Sequence, residues 1–577
     1  MVDAFFDSIP WDELQETQSP ISEDCKNFFD SLTNNKTMSP YIATKNTKAN
    51  EPNTNKPTDS TDAATQMSSI KFVFPRQSSL TAPHQAFYLA ARYGTQAAKR
   101  SQPLFQRLHR LVLVEQKEFN EWAATITIPS SHHKGLLLQG ASLLSARKEY
   151  VPDLIFKQPY SLHKELPMKK PARSSVHLRP VQHLFSEGRV AACRQLEGTI
   201  NCTLPVKFNV SKRSTALSSD SVAQKLASEH SADVLICPSA VYALVNPAGT
   251  DVDVPLTVKQ IAGSDGKSHR VLVLDRTLSA VNLSEQKKIR WAARKAAKRE
   301  FFKFDKSYFD FSKMSVQVNK SDFTQQLKDY SAAKTGQLNR NHTYSLWCLE
   351  HERTSRNADS AWGRQGCPIR LLVRSQCHGF QERDQAAPLF VHLGVKLEHR
   401  PEWGAELLNQ SEIMRDWVAT LLRPEAMLLR ARVDAKTLEV IQVEPKDSRT
   451  VASEARQGGI NCPATLSGLH TLLSELMQLP EGNFILRVKP QRAEVLVFGP
   501  ALPGQASVNL DEEYKKDVPD VDNSVLSIAI DPNVVTPFCM QNQRVPATFL
   551  PLTSPTKSNP KKKSRNKRKK ASLENNI

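Results

Sequence analysis

The sequence has no stretch of eighteen apolar residues, so it predicts no membrane-spanning helix. The first residues also lack a basic segment followed by an apolar one, and we therefore expect no signal peptide. Cysteine is sparse: the nine cysteines are scattered and odd in number, which favours a reducing compartment over a disulfide framework. Glycine is outnumbered by proline, 20 to 35, which indicates extended linkers between folded segments.

Short motifs of common enzyme families are also missing. There is no G-x-S-x-G elbow, no H-E-x-x-H pair and no dinucleotide fingerprint. The nearest approach to a phosphate loop is Gly266-Lys267-Ser268, but position 261 is Ile where a Walker loop needs Gly, and residues 271–274 are strand-like. We therefore predict a protein that is not an enzyme and that takes no cofactor. An enzyme with an unrecognised site remains the alternative, and it requires a pocket of perturbed titratable groups.

One group of residues is a candidate zinc site, namely Cys348, His351, Cys367 and Cys377. Structural zinc sites usually contain two closely spaced ligand pairs, and only the first pair here has that spacing. Two of the cysteines lie in or beside apolar strand-like runs, where a free cysteine behaves as a small hydrophobic residue. The pattern favours buried cysteines over a metal site.

The formal net charge of +18 is distributed unevenly. Residues 1–67 contain eleven acidic and five basic side chains, a net charge of −6, whereas residues 551–577 contain nine basic and one acidic, a net charge of +8. The remaining body is therefore strongly basic. An acidic head, a basic body and a basic tail are typical of a protein that works near nucleic acid, although net charge alone does not prove contact.

Composition and periodicity divide the chain into folded and unfolded segments, and the predicted fold class is α+β. An N-terminal unit of helices and a β-hairpin precedes a C-terminal α+β domain with antiparallel strands. The predicted segments are a disordered acidic head at 1–67, a helical segment at 68–149, a Pro-rich basic connector at 150–190, a mixed α/β region at 191–314, a linker at 315–340, the C-terminal domain and its Pro-rich extension at 341–550, and a disordered basic tail at 551–577.

Several individual elements are predicted from local patterns. Residues 82–125 show helical spacing, and runs at 254–261 and 271–275 flank a glycine-containing turn and predict a hairpin. In the C-terminal domain, helices are expected after Ser411 as N-cap and across the leucines of 466–479. Between and after these helices, short apolar runs predict strands.

A basic helix is predicted after Ser284, in the stretch "EQKKIRWAARKAAKREFF". Helical wrapping places apolar Ile289, Ala293 and Ala296 on one side of it. The opposite side carries Lys287, Trp291, Arg294, Lys295 and Lys298. A Trp among cations can stack on a base, whereas the simpler interpretation is an amphipathic helix that packs by its alanine face and exposes its cations to solvent.

The tail between residues 561 and 570, "KKKSRNKRKK", has cations at eight of its ten positions and nothing apolar to fold around. This pattern predicts a nuclear-import signal, with non-specific phosphate contact as a possible second role. Its cations are Lys561, Lys562, Lys563, Arg565, Lys567, Arg568, Lys569 and Lys570.

The acidic head contains "FFDSI" and "FFDSL", twenty-three residues apart. Each copy places two aromatic residues and one aliphatic residue beside an acidic and a phosphorylatable one. Such a segment can fold on binding into a partner's apolar groove, and two copies on a flexible tether would raise avidity. Chance recurrence is the alternative. The candidate docking residues are Phe5, Phe6, Ile9, Phe28, Phe29 and Leu32.

Between Tyr344 and Phe498 the chain resembles the little elongation complex subunit 2 family. The resemblance rests on "IRLLVRSQC", "VKLEHRPEWGAELLNQSEIMRDWVATLL", "RARVDAKTLEVIQVE" and "LSGLHTLLSELMQLPEGNFIL", in that order, and on the Pro-rich "IDPNVVTPFCMQNQRVPATFLP" that follows. Looser similarity extends through most of residues 70–550.

The resemblance implies a nuclear scaffold or adaptor with no catalytic residues and no membrane contact, which supports small nuclear RNA gene transcription by RNA polymerase II, with polymerase III left open. It further implies the complex's subunit 1, an ELL-type elongation factor and the polymerase machinery as partners, and the nucleoplasm, Cajal body or histone locus body as location. The alternative is a nuclear protein that binds nucleic acid directly through the 284–303 helix and the basic tail.

Overall fold

The computed structural model describes residues 74–93, 100–126, 136–138, 140–141, 158–168, 176–193, 202, 216–246, 251–262, 268–278, 285–302, 308–310, 341–351, 368–382, 388–423, 425–515 and 528–551. The chain divides into two compact units. The described part of the larger unit falls within Thr127–His399 and Leu407–Leu526, and that of the smaller unit within Lys48–Ile126, Arg400–Glu406 and Ser527–Ile577. Each unit therefore combines segments that are distant in sequence.

The helices of the described residues are α1 (Ala82–Tyr93), α2 (Pro103–Thr125), α3 (Ser221–Glu229), α4 (Pro238–Val245), α5 (Glu285–Phe301), α6 (Gln410–Leu421), α7 (Ser448–Gln457), α8 (Cys462–Leu476), α9 (Leu510–Lys515) and α10 (Pro537–Gln541). Local chemistry explains several of their beginnings. Asn409 caps α6 in a reciprocal capping box with Glu412, and Asn461 caps α8, which has a proline in its first turn. The predicted cap at Ser411 is therefore wrong by two residues, because the asparagine satisfies the free backbone N–H groups first.

The strands are β1 (Tyr160–Pro167), β2 (Val176–Ala191), β3 (Val234–Ile236), β4 (Val252–Ala262), β5 (Ser268–Leu274), β6 (Tyr308–Asp310), β7 (Asn341–His351), β8 (Ile369–Ser375), β9 (Gly379–Gln381), β10 (Leu389–Glu398), β11 (Met427–Asp434), β12 (Val440–Lys446), β13 (Gly482–Lys489) and β14 (Glu494–Pro500). The predicted hairpin is confirmed as antiparallel β4 and β5. Strands predicted in the C-terminal domain are present as β7, β8 and β10 to β14.

Ten strands form one sheet in the larger unit, in the order β1-β14-β13-β4-β5-β3-β8-β7-β2-β6. Most neighbours are antiparallel, but β3 runs parallel to both β5 and β8. The predicted α+β class is confirmed. The sheet nevertheless mixes early and late segments, since β13 pairs with β4 and β7 pairs with β2. The C-terminal strands therefore complete a sheet that the earlier strands begin.

Apolar side chains cover both faces of the large sheet. On one face, helices α4, α6, α7 and α8 bury the largest cluster, which includes Val234, Trp417 and Leu473. On the other face, α3 packs against Leu235 and Val273. Because successive strand side chains point to opposite faces, β3 contributes to both clusters and is buried throughout.

A second sheet in the larger unit has the order β12-β11-β10-β9, and its central pair, β10 and β11, is parallel. Alternate residues of β10 and β11, among them Leu393 and Ala431, pack with the alanine side of α5. The intervening positions carry polar and charged side chains. They are His392, Lys396, Glu398, Arg430 and Arg432, and all five are buried. This polar face positions the candidate site.

The smaller unit is held together by aromatic packing. Rings of Phe119 and Trp122 from α2 lie 5.6 and 5.2 Å from Trp403, and Phe119 lies 5.3 Å from Phe549. The backbone N–H of Ala547 donates to the carbonyl of Trp403 over 2.9 Å. Residues 400–406 and the Pro-rich 528–551 segment thus share one core with the first two helices.

The structure departs from the sequence-based expectation between residues 150 and 190. The Pro-rich basic connector predicted there contains β1 and most of β2, and both strands lie in the large sheet. Pro180 stands where the register of β2 against β7 shifts, which is where a sheet accommodates a residue with no N–H. Helices α3, α4 and α7 and strand β3 were not predicted. Within the described residues, no helix combines the length and apolarity needed to cross a membrane.

Candidate anion-binding site

The polar face of the second sheet contains a network of paired charges. Arg432 of β11 contacts Glu398 of β10 at 2.6 Å and also pairs with Glu444 of β12. Its neighbour Arg430 lies 3.0 Å from Asp416 of α6 and 2.7 Å from Glu454 of α7. We call these six residues the paired network. Each buried guanidinium contacts at least two carboxylates, since Arg430 also lies 3.5 Å from Glu444, and these contacts offset the cost of removing it from water.

Charges in the paired network shift one another in the expected directions. The pKa of Glu444 is held below its ordinary value by Arg432 and Lys446, against the opposing effect of burial. Burial is the largest influence on the pKa of Asp416 and raises it, although Arg430 acts in the opposite direction. The arrangement resembles a structural ion cluster, in which each charge is compensated within the protein.

A second group, of three cations and two histidines, lies beside the paired network, and no carboxylate of the described residues contacts its cations. It contains Arg294 and Lys298 of α5, His378 after β8, His392 of β10 and Arg423 after α6. We call these five residues the basic recess. The charges of Arg294, Lys298 and Arg423 act on both histidines, which shows that the five groups share one region.

The cations of the basic recess lack partners. In the described part of the chain, Arg294 and Lys298 form neither an ion pair nor a hydrogen bond. Arg423 donates one long hydrogen bond, 3.5 Å, from Nη1 to the carbonyl of Ala419, and its buried Nε has no acceptor among the described residues. Asp416 and Glu425 contribute favourable charge from a distance, but neither contacts these cations.

The two histidines stack face to face, with ring centroids 4.1 Å apart. The backbone N–H of Leu393 donates to Nδ1 of His378 over 3.0 Å, so this nitrogen is an acceptor and a neutral ring carries its proton on Nε2. His392 is 8% exposed, and its Nδ1 has no partner in the described residues. The imidazoles therefore add hydrogen-bonding groups to the recess without adding a counter-charge.

Burial and mutual repulsion lower every pKa in the basic recess. The pKa of Lys298 falls from 10.5 to about 7, first because of burial and then because of Lys295 and Arg294. Burial lowers the pKa of Arg294 and of Arg423 to about 10. Burial and the neighbouring cations push the pKa of both histidines well below the ordinary value. A bound anion would stabilise the charged form of each of these groups and would therefore raise its pKa.

A cavity of about 360 Å³ adjoins the recess, with Arg423 and Cys377 in its wall. Its apolar walls include Leu346, Trp347 and Phe390. Most of its polar lining is already satisfied: His183 bonds Ser345 and Ser186 at 3.3 and 2.9 Å, and Thr343 bonds Ser375 at 2.6 Å. The exception besides Arg423 is the indole N–H of Trp347, which has no acceptor in the described residues although the side chain is 3% exposed.

Some of the predicted site residues lie in the recess and others do not. Of the predicted basic helix, Arg294 and Lys298 line the recess, whereas Lys287, Trp291 and Lys295 do not belong to it. The opposite side of the helix packs as predicted, with Ile289, Ala293 and Ala296 fully buried. The predicted docking residues of the head and the cations of the tail lie outside the described residues.

Of the zinc candidates, Cys348, His351 and Cys377 lie in the described residues, and they form no metal-holding group there. Cys367 lies outside the described residues, and those that are described contain no group of three or more His, Cys, Asp or Glu side chains able to hold a metal. Cys348 contacts Glu350 at 3.5 Å, while the thiol of Cys377 donates to the carbonyl of Gly379 at 3.1 Å. Burial raises the pKa of both thiols, as expected for inert buried cysteines.

Sequence reasoning missed His378, His392 and Arg423, the members of the recess outside the basic helix. His392 is isolated in an apolar run, between Val391 and Leu393, whereas His378 and Arg423 lie in stretches of mixed polarity. For His392, a polar residue inside an otherwise apolar strand run is the signal that was available. It identifies a buried polar side chain, but not its neighbours.

Comparison with known proteins finds similarity in the C-terminal region. Residues 332–551 match the family model described as NMDA receptor-regulated gene protein 2 C-terminus. Little elongation complex subunit 2 of Homo sapiens is 22% identical over 261 residues, 43% of this chain and 24% of that protein. The Mus musculus protein is 22% identical over 256 residues, 42% of this chain and 24% of that protein. The resemblance to the little elongation complex subunit 2 family is confirmed. The matched region spans about a quarter of the length of these relatives.

Solved structures correct one sequence-based prediction. A mutant S. pombe Rai1 in complex with 3′-FADP aligns with a TM-score of 0.34 at 10% identity, covering 59% of this chain and 99% of that chain. Candida albicans Rai1 in complex with pU5-Mn²⁺ aligns with a TM-score of 0.32 at 12% identity, covering 61% and 96%. These alignments run against the prediction that the protein is not an enzyme, and that prediction is withdrawn. At these TM-scores the likeness assigns no reaction, ligand or residue role to this chain.

Proposed function

We propose that the protein is a nuclear subunit of the little elongation complex and supports small nuclear RNA gene transcription by RNA polymerase II. The observation that carries the proposal is the family match over residues 332–551. Four strands of this region, β7, β8, β13 and β14, lie in the large sheet, so they share one folded sheet with the earlier strands. Partners proposed for it are subunit 1 of the complex, an ELL-type elongation factor and the polymerase machinery.

The sheet topology determines how this proposal is tested. Separating the chain at residue 330 would remove β4 from β13 and β2 from β7, so neither fragment would keep its sheet intact. We therefore use the full chain, tagged and purified from nuclei under mild salt. Recovery of subunit 1 and the ELL-type factor in amounts comparable with the bait is expected. Failure to recover either partner from nuclei that contain both would contradict the proposal.

The two head motifs are proposed as docking peptides for one of these partners. Phe5, Phe6, Phe28 and Phe29 changed together to Ala should leave the thermal unfolding of the chain unchanged and reduce recovery of one partner. A matched control changes four threonines of the same head to Ala, namely Thr33, Thr37, Thr44 and Thr47. Full recovery of every partner with the phenylalanine variant would contradict a docking role.

The basic tail is proposed as the nuclear-import signal. Replacing the eight cations between 561 and 570 with Gln should move a fluorescently labelled chain from the nucleus to the cytoplasm. Fusing a heterologous import signal to the same variant should restore nuclear location. Unchanged nuclear accumulation would contradict the assignment.

A second candidate function is direct binding of nucleic acid, and the unpaired cations of the basic recess favour it. The test measures binding to small nuclear RNA promoter DNA over a range of salt concentrations, with the tail intact and with it neutralised. A steep salt dependence that survives neutralisation of the tail would support direct binding by the folded body. Loss of all binding with the tail variant would reduce this function to non-specific contact.

A further inference from the structure

We propose that the basic recess and the adjoining cavity form a binding site for a nucleoside monophosphate, with the phosphate among Arg294, Lys298 and Arg423 and the base in the cavity. This inference goes beyond both candidate functions, because it requires neither complex membership nor a nucleic-acid strand. It rests on unpaired charge, on unsatisfied buried donors and on the shape of the cavity.

Unpaired charge is the first argument. Three cations gather at one place with no carboxylate of the described residues in contact, although the neighbouring paired network gives each of its guanidinium groups at least two carboxylates. The three cations are partly buried, and a partly buried cation without a partner is costly, the more so beside other cations. A dianion relieves this repulsion better than a monoanion. A phosphate monoester, with a charge near −2 at neutral pH, meets that requirement, whereas a phosphodiester carries only −1.

Unsatisfied donors are the second argument. Nε of Arg423 and the indole N–H of Trp347 are buried, and neither has an acceptor among the described residues. Both residues line the same cavity, one at the side of the recess and the other among the apolar walls. A ligand with acceptors at two separate places would satisfy both groups. A nucleotide has phosphate oxygens at one end and ring nitrogens or carbonyl oxygens at the other.

The cavity supplies the third argument. Its volume of about 360 Å³ is near the lower end of ligand pockets, which run from about 300 to 1,000 Å³, and favours one nucleoside over a dinucleotide. Phe390, which is partly exposed, offers flat and apolar surface to a base, and Trp347 contributes its indole N–H. The hydroxyl groups of Ser186 and Ser345 lie in the same lining, where a ribose can bond to them.

Other anionic ligands fit less well. An acidic peptide would place a carboxylate of charge −1 in the recess, and the carboxylate of Glu425 in the cavity lining would repel further acidic side chains. A metal would be repelled by the cations of the recess. A free nucleotide and the terminal nucleotide of a strand share the proposed chemistry, and the experiment distinguishes these two sources.

The experiment titrates the full chain with AMP, UMP, adenosine and inorganic phosphate by calorimetry. Binding of at least one nucleotide is expected, at least tenfold tighter than adenosine or inorganic phosphate. Lys298→Gln and Arg423→Gln should each weaken it at least tenfold. Arg299→Gln is the matched control, since Arg299 is an exposed cation of the same helix, and it should leave the affinity unchanged. Trp347→Phe should weaken nucleotide binding severalfold without changing the affinity for inorganic phosphate.

Several outcomes overturn the proposal. No binding of AMP or UMP at millimolar concentration, with thermal unfolding showing a folded chain, would remove the site. Equal affinity for inorganic phosphate and nucleotides would reduce it to an adventitious ion only. Binding that persists in both Lys298→Gln and Arg423→Gln would place the nucleotide elsewhere. A 5′-phosphorylated dinucleotide that binds as tightly as the mononucleotide identifies strand ends as the source, and weaker binding identifies the free nucleotide; each result supports the site.

Discussion

The paired network and the basic recess lie side by side in the larger unit, and they differ in whether their cations have carboxylate partners. In the network, Arg430 contacts three carboxylates and Arg432 contacts two. In the recess, Arg294, Lys298 and Arg423 contact no carboxylate among the described residues. The network arginines are 2% exposed and the recess cations are only partly buried, so the regions differ both in burial and in whether the described residues supply the counter-charge. The paired charges of the network therefore stabilise the fold, whereas the recess needs a bound anion to balance its charge.

The largest expected effect comes from breaking the paired network. Glu398 has no exposed surface, and Glu398→Gln would leave Arg432 with one carboxylate instead of two. We expect the free energy of unfolding to fall by about 3 kcal/mol, since removing one partner leaves the buried charge of Arg432 only partly compensated, by Glu444. Urea unfolding measures this. The double variant Glu398→Gln with Arg432→Met should recover part of the loss, and a single variant as stable as the parent would contradict the distinction between the regions.

Removing a charge from the recess should have the opposite sign. Lys298→Met takes away a cation that has only like charges near it, apart from distant acids. In phosphate-free buffer at pH 6.5 the variant should therefore unfold with a free energy higher by on the order of 1 kcal/mol. Arg299→Met on the exposed side of α5 should change little. A destabilised Lys298→Met would show that this cation already has a partner in the protein.

The free energy of unfolding should depend on pH through Lys298 of the basic recess. Lys298 has a pKa of about 7 in the folded chain, below its ordinary value, so between pH 7 and 10.5 the unfolded chain binds more protons at this site. Stability contributed by this group therefore rises as pH increases through that window. The groups that act on Lys298 are Arg294 and Lys295 on its own helix and Cys377 and Arg423 opposite. Its charge in turn acts on His378 and His392.

Urea unfolding at pH 7 and pH 9 tests this dependence, with Lys298→Met as the reference that lacks the group. The parent should gain stability relative to the variant as pH rises. An equal change in the two proteins would assign the pH dependence to other groups.

The smallest effect concerns the affinity of the recess for anions. As pH rises from 7 to 9, Lys298 loses its proton and the recess loses one of its three cations. We expect the affinity for AMP or UMP to fall severalfold over this range, and proton uptake should accompany binding near pH 8. Calorimetry in two buffers of different ionisation enthalpy measures the uptake. Constant affinity from pH 7 to 9 would indicate that Lys298 does not face the ligand.

Helix α5 shows how far sequence reasoning reaches. Its periodicity correctly predicted the buried side with Ile289, Ala293 and Ala296, because 3.6-residue spacing is a local property. The same wrapping placed Arg294 and Lys298 on the other side. The neighbours of these cations come from α6, β10 and the residues after β8. These elements are distant in sequence, so no local pattern could predict whether the cations would contact water, carboxylates or one another.

Strand β2 shows where local patterns fail. Its polar, proline-containing sequence lacks the alternation of a half-buried strand, and the whole 150–190 stretch was therefore predicted as a connector. Pairing with β7 supplies its backbone partners, and the register shift at Pro180 accommodates the proline. The parallel pairing of β3 with β5 and β8 could not be predicted from the sequence either, because strand direction within a sheet is set by long-range pairing.

The α+β class, most strands of the C-terminal region, the amphipathic character of α5 and the family resemblance between Tyr344 and Phe498 could all be predicted from the sequence. These follow from spacing, capping and local similarity, which act over a few residues. The tertiary structure was needed to show that early and late strands share one sheet. It was also needed to show that α5, β10 and the turn after α6 bring cations together beside a cavity. Charge compensation is a property of neighbours in space, so it can be judged only once the chain is folded.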